Sequence, residues 1–369
     1  MSHEYTIYGA DLSYYTGKIR AYMRYKNLDW EEKASTLDIY QKLILPRVGA
    51  AIIPILQTRD DHIVQDTTDM IDYLESRHPE SSIYPTTPLQ KLVALMLEFY
   101  GDEWLVIPAM HYRWNYIDQQ KDFVLGGFGR LGNPNGSLEE QVALGEQMSA
   151  PFQGVVKKLG VTENTIPAIE ASYHELLDIL NQHFSQHPFL LGTKPSIGDY
   201  GLLGPLYAHL GRDPYPKAEM QERAPEVFAW IERMNNPAPL SGEFLADDEI
   251  PTTLIPLLKK MSQEQLPDTL SVIQHNHQWL QDNPGGNLPR QLGNHDFSIG
   301  GITDSRMISS YSQWMFQRAY GFYHGLSDDN KSQLEVALND YGFLDALNTP
   351  IKTLVERKTG QLELVEAVQ

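Results

Sequence analysis

The chain has 369 residues, no cysteine, and 29 basic against 48 acidic side chains, a formal charge of −19. Without cysteine it forms no disulfide, no thiolate metal site and no cysteine nucleophile. So negative a field repels phosphate backbones, which argues against nucleic acid as a partner and requires any anion site to be built locally. No run of about 18 apolar residues occurs, so no membrane association is expected. The start Met1-Ser2-His3-Glu4-Tyr5 lacks the charged and apolar regions of a secretory leader. The expected location is therefore the cytoplasm. The length exceeds what one ordinary core organises and predicts two or three packed units.

Glu4 to Gly9, rich in aromatic and β-branched residues, predicts a first strand. Ser13 to Lys26 has helical periodicity, with Ile19, Tyr22 and Met23 on one face. Asp29 to Ala34 reads as a second strand, and Lys42 to Gly49 as a loop around Leu45-Pro46. The apolar run Ala50 to Leu56 contains Pro54, which removes a ladder donor and is tolerated where a strand turns an edge toward a ligand. A hairpin is expected between Ile52–Gln57 and His62–Val64, followed by a helix from Asp66 to Arg77 that stops at His78-Pro79. This order predicts a small mixed sheet covered by helices.

His78 to Pro88 is proline-rich and marks a boundary. Beyond it the chain reads as helical, in Leu89–Asn115, Ser137–Leu159, Thr165–Ser185, Ser196–Leu210 and Ala224–Asn235. A second boundary falls at Asn236-Pro237-Ala238-Pro239. Three units result: 1–80, 88–239, and an extension, 240–369, of a length that can fold by itself. The extension reads as mainly helical, with a hairpin at Phe297–Met307 across Gly300-Gly301. Its run Tyr311-Ser312-Gln313-Trp314 carries an aromatic stripe suited to packing and no chemistry recognisable from sequence.

Three short segments carry chemistry. Ser13-Tyr14-Tyr15-Thr16-Gly17-Lys18-Ile19-Arg20 places a hydroxyl at the start of a helix, where it caps the helix or donates to an anion. Ile53-Pro54 follows in the apolar run, and Asp66-Thr67 opens the next helix. Ser196-Ile197-Gly198-Asp199 is a capping box in the helical half. As a set, these segments resemble the cytosolic glutathione transferases of the serine type, over about residues 4–240. The resemblance implies a thioredoxin-like α/β N-terminal domain and an all-α second domain, to which this chain adds its helical extension.

The resemblance also implies an activity and a site. Glutathione is the expected co-substrate, with no metal. Ser13 is expected to stabilise its thiolate for attack on a small electrophile, with Tyr8, Tyr14 and Tyr15 as competing donors. Ile53, before Pro54, pairs with the cysteinyl amide, while Asp66 faces the γ-glutamyl ammonium and Thr67 binds its carboxylate. Lys42 or Arg47 would meet the glycyl carboxylate, although the family's Asn-Pro motif is replaced here by Leu45-Pro46. The acceptor pocket is expected around Tyr15, Trp104, His111 and Trp114, because Glu103, Ile107, His111 and Trp114 share a face on a continuous helix. Conjugation is the implied reaction, with reductive cleavage or isomerisation open to the same thiolate. A homodimer is expected, and the extension either covers the acceptor pocket or replaces the dimer contact. The alternative class is a non-catalytic binding or assembly protein on the same fold.

Other patterns are set aside. Gly127-Phe128-Gly129-Arg130-Leu131-Gly132 has nucleotide-loop spacing but is followed by a turn, and reads as a glycine-rich loop. His183 and His187 are four apart without a metalloprotease acid, and read as a helix end.

Overall fold

The computed structural model describes residues 3–358 and 361–365. Alternation of buried and half-buried residues in β1 (Tyr5–Gly9) puts Tyr5, Ile7 and Gly9 against the core. α1 (Tyr14–Tyr25) then crosses the sheet and returns the chain to β2 (Trp30–Ala34), parallel to β1. The predicted loop before Gly49 is instead two short helical turns, α2 (Leu37–Ile39) and α3 (Leu45–Val48), on either side of a π-helical turn. Thr36 nucleates them by accepting the Ile39 N–H. Ile44 and Val48 bury a separate apolar cluster over Ile55, with Ile53 packed at its side.

β3 (Ile55–Thr58) begins one residue after Pro54, because proline has no N–H to enter the ladder. The Ile53-Pro54 bond is cis. β3 pairs antiparallel with β1 and with β4 (Ile63–Gln65), giving the order β2-β1-β3-β4. α4 (Thr67–Arg77) follows directly, capped by the Asp66 carboxylate on the Thr68 N–H. The expected thioredoxin-like domain is present.

The long helix expected after the linker is two: α5 (Pro88–Glu103) and α6 (Val106–Asn115), broken at Trp104 and Leu105. α7 (Lys121–Gly132) occupies the expected glycine-rich loop. Its glycines let it lie against α8 (Leu138–Val156): a Cβ at Gly129 would stand 1.8 Å from the Gln141 carbonyl oxygen. Close helix crossing, not loop flexibility, explains that motif. α9 (Ile166–Phe184), α10 (Ile197–Ala208), α11 (Pro214–Arg223) and α12 (Pro225–Asn235) complete the helical domain. The capping box at Ser196 and Asp199 forms as expected, and the buried Asp199 also accepts from the Leu190 N–H and the Trp230 indole.

The extension starts with α13 (Ile255–Asp282), then the expected hairpin of β5 (Gln291–Ile299) and β6 (Ile302–Ser309). Gly300 and Gly301 both take positive φ, 56° and 78°, as a two-residue turn between twisted strands requires. α14 (Tyr311–His324), α15 (Asp328–Tyr341), the short α16 (Leu344–Asn348) and a second hairpin, β7 (Val355–Lys358) with β8 (Gln361–Leu364), follow. Met315 and Phe316 of α14 join the same apolar cluster as Leu92 and Phe99 of α5. The extension and the helical domain therefore share one core. No helix among the described residues is long and apolar enough to cross a membrane.

Candidate functional site

α1 and α4 both begin at one side of the sheet, beside the β3 start, so Ser13, Pro54 and Asp66-Thr67 sit at corresponding ends of neighbouring elements. Ser13 is half-buried at the N-cap of α1, and its Oγ accepts the Thr16 N–H at 3.2 Å. Accepting leaves its own O–H proton available to donate. The neighbouring phenols are committed elsewhere. Tyr14 donates to the carbonyls of Gly101 (2.5 Å) and Asp102 (3.1 Å), Tyr15 to that of Asp102 (3.1 Å), and Tyr8 to Gln57 Oε1 (2.8 Å). Burial holds the Tyr14 and Tyr15 hydroxyls well above the ordinary phenol range, and the nearby acids push the same way.

Asp66 has φ 82° and ψ 129°, a backbone region that a residue with a Cβ enters only at a cost of about 1–3 kcal/mol. Such strain concentrates at ligand clamps. Here it places the Asp66 side chain at the N-cap, where Oδ1 accepts the Thr68 N–H at 2.8 Å. Thr67 beside it is buried. Lys42 pairs with Asp38 at 2.5 Å on the surface. Arg47 pairs with Asp61 in the β3–β4 turn, at the opposite end of β3 from Pro54. Neither cation is brought to Pro54 or Asp66.

A buried ionic cluster joins the two domains. Lys18 Nζ lies 2.8 Å from Glu98 Oε1 and 2.5 Å from Asp102 Oδ2, with all three side chains at most 4% exposed. Thr68 donates to the same Glu98 oxygen at 2.9 Å. Burial favours the neutral amine, but Asp102 and Glu98 outweigh it and hold Lys18 above its ordinary value. Burial pushes Asp102 upward against Lys18. Arg318, from α14, closes the cluster with Asp72 (2.6 Å), the Tyr84 hydroxyl (3.0 Å) and Glu98 Oε2 (3.6 Å).

The helix break separates the residues expected on one face. Glu103, at the end of α5, is half-buried beside Tyr15 and is pushed up to about 7, chiefly by burial. Trp104 is buried against Phe297 of β5, with the Arg306 guanidinium 5.3 Å over its ring. His111 bonds Glu170 Oε1 at 3.0 Å and Asn115 at 2.8 Å, and burial keeps it below the ordinary imidazole range. Trp114 packs on Phe128. Tyr15 and Glu103 lie together near the α1 start, Trp104 is covered by the extension, and His111 and Trp114 turn toward α9 and α7.

Residues 7–82 match the family model described as the glutathione S-transferase N-terminal domain, and residues 163–233 match that of the C-terminal domain. Both glutathione S-transferase domains are thus matched within this chain. Among solved structures, a glutathione S-transferase from Rhodospirillum rubrum F11 is similar at 17% identity over 67% of this chain and 96% of its own, with a TM-score of 0.40. A β-etherase, LigF, from Sphingobium sp. strain SYK-6 is similar at 16% identity over 64% and 96%, with a TM-score of 0.45. One from Methylobacterium radiotolerans, in complex with glutathione sulfonate, is similar at 18% over 66% and 98%, with a TM-score of 0.39. No curated protein matches the sequence.

Within this glutathione S-transferase fold, the extension adds contacts to the α4 start and the α5 end that sequence reading missed. Tyr311 donates its hydroxyl to Asp66 Oδ2, and Ser312 donates to Glu103 Oε2 at 2.8 Å. Arg357 of β7 donates to the Gln65 carbonyl (2.5 Å), to Gln65 Oε1 (2.6 Å) and to Asp69. Arg290 stands 5.8 Å over the Tyr311 ring. The aromatic stripe at 311–314 was the one available signal, but nothing in sequence ties it to Asp66. Among the described residues no group of three or more His, Asp or Glu side chains is placed to hold a metal ion.

Proposed function

We propose that this protein is a glutathione transferase that binds glutathione along Ile53, Pro54, Asp66 and Thr67 and activates its thiol at Ser13. The observation that carries the reading is the state of the hydroxyls at the α1 start. Ser13 accepts a backbone N–H and keeps its proton free, whereas Tyr8, Tyr14 and Tyr15 all donate to other oxygens. When bound, glutathione supplies a thiolate that attacks a small electrophile. Ser13 would donate to the sulfur at the positive end of α1, favouring the ionised thiol. A depression of two pKa units corresponds to about 2.7 kcal/mol. Thr67 and the first N–H groups of α4 would take the γ-glutamyl carboxylate, and Asp66 its ammonium. The strained Asp66 backbone supports that role. Of the proposed cations for the glycyl carboxylate, Arg47 is tied to Asp61 and Lys42 to Asp38, so either would have to exchange partners. Of the residues proposed for the acceptor side, Tyr15 lies on α1 two positions after Ser13, which supports its role.

Calorimetric titration of glutathione into wild type and Ser13→Ala, with thiolate absorbance followed against pH, tests the reading. The expected result is binding in both, with the thiol pKa depressed in wild type and restored in the variant. Equal depression in both would move activation to a backbone donor. Absence of binding in folded wild type would leave a non-catalytic binding or assembly protein.

A further inference from the structure

Tyr311 and Ser312 are consecutive, yet their hydroxyls reach carboxylates on two different domains: Asp66 before α4 and Glu103 at the end of α5. The start of α14 therefore bridges the N-terminus of α4 and the C-terminus of α5, next to Tyr15. Two explanations compete for such a contact. A removable plug would have to leave, but α14 is set in the common core. Phe316 and Met315 are buried, Phe316 packs on Phe99 at 5.8 Å, and Arg318 closes the ionic cluster at Asp72 and Glu98. Withdrawing α14 would expose that apolar surface and strip a buried cluster of a cation. A fixed wall fits the packing better.

We infer that the extension is a permanent wall of the cosubstrate site and that Tyr311 is a positioning residue, holding the Asp66 carboxylate toward the ammonium of a γ-glutamyl group. The inference rests on the proposed glutathione site. Asp66 accepts from its own helix through Oδ1, on the Thr68 N–H, and from the extension through Oδ2. With one bond on each oxygen, the carboxylate cannot rotate, and each oxygen keeps a lone pair for an ammonium. Arg357 performs the matching task on the neighbouring backbone, gripping the Gln65 carbonyl and Asp69 on either side of Asp66. Its side chain is nine-tenths buried and its Nε–H has no partner within the described residues. The facing groups are Asp66, Glu103 and Tyr15 from the two domains and Arg290 and Arg357 from the extension. Specificity for the α-amino group then depends on a residue 245 positions away from Asp66.

The test uses the full chain and Tyr311→Phe, which keeps the ring against Trp314 and Arg290 and removes only the hydroxyl. Affinities are measured by calorimetry for glutathione and for its analogue lacking the γ-glutamyl amino group, alongside melting temperatures. The wild type is expected to prefer glutathione. Tyr311→Phe should lose roughly 10-fold in glutathione affinity, as for one charge-assisted hydrogen bond, with the analogue unchanged. A merely structural role would weaken both peptides together or lower the melting temperature, and either result overturns the inference. Unchanged affinity for both peptides overturns it as well and leaves the glutathione reading standing. Tighter glutathione binding by Tyr311→Phe would make Tyr311 a plug and overturn the wall. A folded wild type that binds neither peptide overturns the glutathione reading and this inference with it.

Discussion

Replacing Lys18 by methionine tests whether the buried cluster fixes the domain interface. Methionine matches the length of the stem but removes the cation between Glu98 and Asp102, both almost completely buried, and leaves only Arg318, 3.6 Å from Glu98 Oε2. Breaking a buried pair by removing one partner costs about 3–5 kcal/mol. The cost can also be worked from protonation, since the missing positive charge is made up by one proton on a carboxylate. Against an ordinary carboxylate value of about 4, holding that proton in the folded state costs about 4.8 kcal/mol at pH 7.5 and about 2 kcal/mol at pH 5.5. The sign follows from proton counts: the folded variant binds one proton more than its unfolded chain, so its stability falls as pH rises. Lys18 itself, held above its ordinary value, stays charged in both states across this range and adds no slope, whereas Asp102, raised by burial, gives the wild type a slope of the same sign. Urea unfolding of both proteins at the two pH values, followed by tryptophan fluorescence and circular dichroism, measures the difference. A loss below about 1 kcal/mol at pH 7.5 would refute the reasoning.

Two further outcomes concern other buried acids. Asp199→Ala leaves the Ser196, Leu190 and Trp230 donors without an acceptor and is expected to destabilise by about 3–5 kcal/mol in urea unfolding, while Asp199→Asn retains part of the loss. Glu103 is pushed up to about 7, mainly by burial, so between about 4.5 and 7 the folded state keeps a proton that the unfolded chain gives up. Stability contributed by this group falls as pH rises through that window. The urea midpoint of Glu103→Gln should therefore gain on wild type from pH 4.5 to 7, and parallel profiles would remove Glu103 as the titrating group.

Local signals carried most of the N-terminal domain. Strand β1, the hairpin around Asp61, the capped start of α4 at Asp66 and the site segments at Ser13 and Pro54 each lie within a few residues and obey short-range rules. The double-glycine turn at Gly300 and the capping box at Ser196 were legible for the same reason. Where reading failed, a distant neighbour decided. The glycines of α7 suggested a loop, but they serve the approach of Gln141. The break at Trp104 is invisible in apolar periodicity, and it turns Glu103 to Ser312 and His111 to Glu170. Lys42 and Arg47 looked available for a ligand carboxylate because their partners, Asp38 and Asp61, are chosen only once the turns fold. The aromatic stripe at Tyr311 pointed only to packing, and nothing local tied Tyr311, Ser312 or Arg357 to its partner, since each contact joins the extension to an acid or backbone far earlier in the chain.

That separation has a consequence for synthesis. Asp66 precedes Tyr311 by 245 residues and Gln65 precedes Arg357 by 292. At a translation rate of about 5–20 residues per second, the thioredoxin-like domain waits roughly 12–60 s for its last contacts. Throughout that interval Asp66, Asp69, Asp72 and Glu98 lack their partners from the extension, and the face of α5 that will receive Phe316 remains bare. A ribosome stalled inside the extension would hold a domain with its strands paired and its ligand acids unanchored. Such nascent chains are the natural clients of a chaperone that shields apolar helix surface, and codon changes that slow residues 255–357 should lengthen that association.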